Sequence, residues 1–160
     1  MKQKSIVIQA SPFVVRISPM GFNRYASEFL RAAKSFQAES SFSPVPYYLY
    51  CHSIELGLKA FLLVKNVTMK ELKQRDNLGH NLVNVLKKAK ALGIDQLVAL
   101  TPEQESEIAK ANKYYSNKGF EYFQVTKAAV GSPDLPDLGK LENIASTLVT
   151  GLESLCLNAI

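Results

Sequence analysis

Residues 47–65, YYLYCHSIELGLKAFLLVK, are apolar on nearly every face at helical spacing, and this property decides most of the architecture. A helix with no polar face must be surrounded, so the rest of the chain has to supply helices that cover it. Its few polar residues, His52, Ser53, Glu55 and Lys59, matter more than their number suggests. Glu55 and Lys59 stand four apart in the order that favours a helix-surface pair. Gly57 costs about 1 kcal/mol relative to alanine in a helix interior, and it offers a neighbour room to approach.

The flanking segments provide the cover. Phe22, Tyr25, Ala26, Phe29, Leu30, Ala33 and Phe36 recur at helical spacing over residues 22–37. Thr68 with Glu71 matches the capping-box pattern and predicts a short helix over residues 69–75. Residues 76–79 break it. His80 then opens another helix, with Leu82, Val83, Val85, Leu86, Ala89 and Leu92 on the buried face and Gly93 at its end. Thr101-Pro102-Glu103-Gln104 combines an N-cap, a proline at the first helical position and a glutamine at the third, and predicts a helix to about residue 117 carrying Ile108, Ala109, Ala111, Tyr114 and Tyr115. A last helix is predicted over residues 138–157.

Two stretches read as extended. Residues 5–17 are rich in β-branched side chains around Ser11-Pro12, which suits a small hairpin or an arm, closed by Pro19 and Gly21. Residues 120–125, FEYFQV, are strand-like within an irregular connection. The sum is an all-α bundle of about five helices, a single domain over residues 1–160 with residues 1–20 as an extended arm.

Charge is unevenly distributed. Residues 59–90 hold eight basic groups against two acids, a balance of +6, whereas the whole chain carries +5. A localised basic surface attracts phosphates, and Lys73, Lys87 and Lys88 are candidate nucleic-acid contacts. The same pattern also fits a solvated lysine-rich helix face. No apolar run approaches the roughly 20 residues that span a bilayer, and the N-terminal residues make a poor secretory signal, so a cytoplasmic protein without membrane contact is expected. Cys51 and Cys156 suit buried thiols, since two distant cysteines give neither a disulfide framework nor zinc spacing.

No glycine-rich phosphate loop, nucleophile elbow, HExxH pattern or aspartate cluster is present, so no metal and no cofactor is expected. The residues with reactive potential are Arg75, His80, His52 and Glu55. On a continuous helix Arg75 and His80 would point about 140° apart, and the break between them removes that obstacle. A histidine at a helix N-terminus has its charged form disfavoured by the macrodipole, which suits a base.

SIELGLKAFLL, followed by a basic connection, GHNLVNVLKKA and ANKYYSNKGFEYF, resembles the HEPN superfamily of helical bundles over about residues 47–123. Many HEPN proteins are metal-independent endoribonucleases with an Arg-x4–6-His motif, and Arg75-Asp76-Asn77-Leu78-Gly79-His80 satisfies that pattern. The resemblance implies Arg75 and His80 as candidate catalytic residues, with Glu55 and Asn81 in support. It also implies RNA or a nucleotide as ligand, a homodimer whose motifs meet at a shared cleft, and a toxin–antitoxin or phage-defence setting with an antitoxin partner. The alternative is a non-catalytic interaction module that binds a partner protein or nucleic acid through its basic face, with His80 structural. Arg75 and His80 facing one cleft would favour catalysis; His80 buried against Glu55 would count against it.

Overall fold

The computed structural model describes residues 18–39, 42–75, 77–122 and 134–159. The expected arm or hairpin at 5–17, Asp76 and the second half of the strand-like stretch lie outside them. The described residues form six α-helices and one 3-10 turn, with no strand. In chain order these are α1 (Pro19–Ser35), α2 (Val45–Val64), α3 (Met69–Leu72), α4 (Leu82–Ala91), the 3-10 turn Ile94–Gln96, α5 (Pro102–Tyr115) and α6 (Leu138–Leu157).

Helix α2 is the spine. It packs chiefly against α1 and α6, and also against α4 and α5. Ile54, Leu58, Phe61 and Leu62 are fully enclosed, which is why this stretch needs no polar face. Helix α6 brings Leu141, Ile144, Leu148 and Leu152 to the same core, while α1 brings Ala26, Leu30 and Ala33. At Gly57 the two long helices come close: a methyl added there would lie 3.4 Å from Leu148 Cβ. Both cysteines are buried and free. Among the described residues, no helix is long and apolar enough to cross a membrane.

Local signals set most of the helix ends. The Thr101 hydroxyl oxygen accepts a hydrogen bond from the Gln104 amide while Gln104 Oε1 accepts one from the Thr101 amide. Asp137 caps α6 through the Lys140 amide. Gly93, at φ 88°, takes the left-handed conformation that ends α4.

Several boundaries differ from expectation. Pro19 opens α1 instead of closing the arm, because Ser18 accepts from the Gly21 amide and proline is preorganised for the first helical position. Helix α3 stops after one turn, so Arg75 lies beyond the helix in a run of turns and does not end it. Asn81 is the N-cap of α4, accepting from the Asn84 amide, which leaves His80 just outside the helix. Val83 is exposed, since α4 buries only the stripe Leu82, Val85, Leu86 and Ala89, and Ala109 is exposed because α5 turns Glu107, Ile108, Ala111 and Tyr115 inward.

Candidate functional site

The polar residues of α2 meet at one buried carboxylate. Glu55 is 2% exposed. Its Oε1 accepts from Lys59 Nζ at 2.5 Å. Its Oε2 accepts from the Tyr115 hydroxyl at 2.5 Å and from His80 Nδ1 at 3.0 Å. The pair expected on a helix surface is therefore buried, with Lys59 only 7% exposed. Burial alone would push the Glu55 carboxyl up, but the His80 hydrogen bond and the charge and hydrogen bond of Lys59 outweigh it, and the net direction is down. Glu55 is an anion with both oxygens occupied.

Proton bookkeeping fixes the tautomers. An ionised carboxylate can only accept, so both Tyr115 and His80 donate to it. The Tyr115 oxygen lies 2.7 Å from His52 Nδ1, and with its own proton committed to Glu55 it must accept from that nitrogen. Burial lowers the pKa of His52 below the ordinary histidine value, so its neutral form is favoured. For His80 the direction is up, because the bond to Glu55 stabilises its charged form more than desolvation opposes it. The macrodipole expectation is thus reversed: His80 sits before the cap, and a carboxylate at 3.0 Å outweighs a helix end.

His80 is bonded to Glu55 yet not buried by it; 58% of its side chain remains exposed. Its proton on Nδ1 leaves Nε2 as the nitrogen free for chemistry. A cleft of 720 Å³ opens beside it, lined also by Lys59, Lys73, Arg75, Asn81, Asn117 and Lys118. No described residue lining this cleft is a carboxylate. Lys118 is 3.8 Å from Glu121, whereas Lys73 and Arg75 have no ion pair with a described carboxylate. Lys59 spends two of its three N–H donors on Glu55 Oε1 and on the Gly79 carbonyl at 2.6 Å, which leaves the third for the cleft.

Arg75 reaches the same cleft because the chain folds back on itself. The Gly79 amide donates to the Gln74 carbonyl at 2.7 Å, as does the Asn77 amide at 3.1 Å. A Cβ on residue 79 would stand 3.0 Å from Arg75 Cα and 3.2 Å from the Gln74 oxygen, so a side chain here forces the backbone of the turn to open by a few tenths of an ångström. Gly79→Ala is expected to cost about 1–3 kcal/mol through this clash, whereas Gly57→Ala should stay within about 1 kcal/mol because better helix propensity offsets its milder contact. Urea midpoints of the two variants check the contrast.

The structure thus brings Arg75, His80, Lys73, Asn81 and Glu55 together. Lys87 and Lys88 lie apart, in a second depression lined also by Glu71, Asn77 and Asn84. Sequence reasoning named His52 among the residues with reactive potential without giving it a partner, and it did not single out Tyr115 or Lys118. The spacing of His52, Glu55 and Lys59 does place the three on one helical face; nothing local marks Tyr115 as their partner. Among the described residues no group of three His, Cys, Asp or Glu side chains is arranged to hold a metal ion. No protein-family model matches this chain, nor does any curated protein or solved structure. Function has to follow from the residues themselves.

Proposed function

We propose that the protein is a HEPN-like, metal-independent endoribonuclease that holds an RNA phosphodiester in the cleft at His80. One observation carries this: a histidine oriented by a buried carboxylate leaves Nε2 free on an exposed side chain, in the same cleft as Arg75. A carboxylate–imidazole pair of this kind fixes the ring and raises its basicity.

The chemistry needs one proton acceptor and concentrated positive charge. His80 Nε2 takes the proton of a ribose 2′-hydroxyl, the 2′-oxygen attacks phosphorus, and the bond from phosphorus to the 5′-oxygen breaks. The products are a 2′,3′-cyclic phosphate and a free 5′-hydroxyl, whose proton comes from solvent or from a second protonated histidine. Arg75, Lys73 and the remaining Lys59 donor stabilise the charge that develops on the phosphoryl oxygens. In a homodimer, proposed on the HEPN resemblance alone, His80 of a second copy would supply the leaving-group proton. An antitoxin partner and a toxin–antitoxin or phage-defence setting belong to the same resemblance.

Labelled single-stranded RNA incubated with the protein in EDTA tests the reading. Cleavage leaving 2′,3′-cyclic ends is expected, with a large loss in Arg75→Ala that spares the fold by circular dichroism. An intact substrate at high protein concentration would sink it.

A second reading, binding without cleavage, draws on the depression at Lys87 and Lys88. Lys87→Glu/Lys88→Glu is expected to weaken RNA binding and to reduce the slope of log K against log salt by about 1.4, since each single-strand phosphate contact contributes about 0.7. A slope equal to wild type would remove those lysines from the interface.

A further inference from the structure

Tyr115 sits on α5, sixty positions from Glu55 in sequence, and is 3% exposed. Its hydroxyl gives its only proton to Glu55 Oε2 and accepts from His52 Nδ1, so two more residues stand behind the His80–Glu55 bond. A glutamate carboxylate turns easily about its last torsion, where the energy wells are broad. Lys59 restrains Oε1 and Tyr115 restrains Oε2, the oxygen that His80 uses. The His80 ring also meets the Tyr115 ring edge-on at 5.9 Å. His52 is held in turn, edge-on to Phe29 at 4.4 Å and stacked on Tyr48 at 5.7 Å.

We propose that Tyr115, itself held by His52, is a positioning residue for His80. By fixing Glu55 Oε2 it keeps the His80 proton on Nδ1 and Nε2 bare toward the cleft. The inference rests on His80 being the proton acceptor of the proposed reaction. The groups that act on this imidazole are Glu55, Lys59 and His52 from α2, Tyr115 from α5, and Glu121 from the following turn. Of these, Tyr115 is the one that touches both the carboxylate oxygen used by His80 and the second histidine.

The test reads the tautomer directly, without RNA. In protein labelled with ¹⁵N at histidine, long-range proton–nitrogen correlation above the titration range should show wild-type His80 protonated at Nδ1 and bare at Nε2. Tyr115→Phe is expected to give a mixture of the two tautomers, and His52→Gln a smaller shift in the same direction. In the cleavage assay Tyr115→Phe should lower kcat roughly tenfold to a hundredfold, as loss of a residue that orients a reacting group does, with KM little changed. A wild-type His80 protonated at Nε2 overturns the proposal even if Tyr115→Phe fails to fold. So does a folded Tyr115→Phe with the wild-type tautomer and kcat. If the tautomers behave as expected and RNA stays intact, positioning stands and the ribonuclease reading falls. If RNA is cut while tautomer and kcat ignore Tyr115→Phe, the reverse holds.

Discussion

Glu55→Leu is expected to destabilise the fold by about 3–5 kcal/mol, because it strands the Lys59 ammonium in the core. Lys59 is 7% exposed and would keep only the Gly79 carbonyl as partner. Lys59→Met should cost less, about 1–3 kcal/mol, because the carboxylate loses one charged partner but keeps the Tyr115 hydroxyl and His80. The double variant should be less damaged than the two single losses added together, with a coupling of about 0.5–3 kcal/mol. Recovery stays partial, since the Tyr115 hydroxyl and the Gly79 carbonyl each lose a partner. Urea unfolding of the four proteins measures the cycle, and a single-variant cost under about 1 kcal/mol would mean that the pair is not buried as described.

Acid exposes the same pair. The folded Glu55 carboxyl lies below its ordinary value of 4.5, so its contribution is complete above that value and is lost as pH falls through the folded one. His52, lowered by burial, adds stability above the ordinary value of 6.5 that is lost as pH falls. His80 runs the other way: its pKa is raised, so its contribution is present below 6.5 and is lost as pH rises through the folded value.

His80→Ala is expected to lower cleavage by about 10²–10⁴, the usual worth of a positioned acid or base, while changing stability far less than Glu55→Leu because most of the side chain faces solvent. The pH profile distinguishes a base from a bystander. Neutral His80 is the active form, so kcat/KM should climb with pH and level off above the raised pKa. In Glu55→Gln the charged partner is gone and the climb should move down toward 6.5, the ordinary value. A profile that is flat across this range, or a His80→Ala protein as active as wild type, would leave His80 with no part in the chemistry.

The bundle was legible because its signals are local. An α2 without a polar face, an α6 running from 138 to 157, and the Thr68 and Thr101 caps can be read from adjacent residues. Pro19 misled because Ser-Pro suits a chain break and a helix start equally well, and Ser18 bonding to the Gly21 amide decides between them. The site was only half legible. Glu55 and Lys59 stood out as a pair, but their burial depends on Tyr115 and Gly79, sixty and twenty positions away. His80 drew attention through its place beside a break, while the direction of its pKa follows from a carboxylate that no local pattern puts beside it.

The turn between α3 and α4 is moored unequally at its two ends. His80 and Gly79 are tied to the spine through Glu55 and Lys59, whereas Gln74, the neighbour of Arg75, is held by backbone bonds within the turn itself. An exchange at residue 73 or 75, both exposed, would therefore change the positive charge of the cleft without touching a partner of the imidazole. On the proposed reading, changes at these two positions alter the grip on a phosphate while the Glu55–His80 pairing is retained.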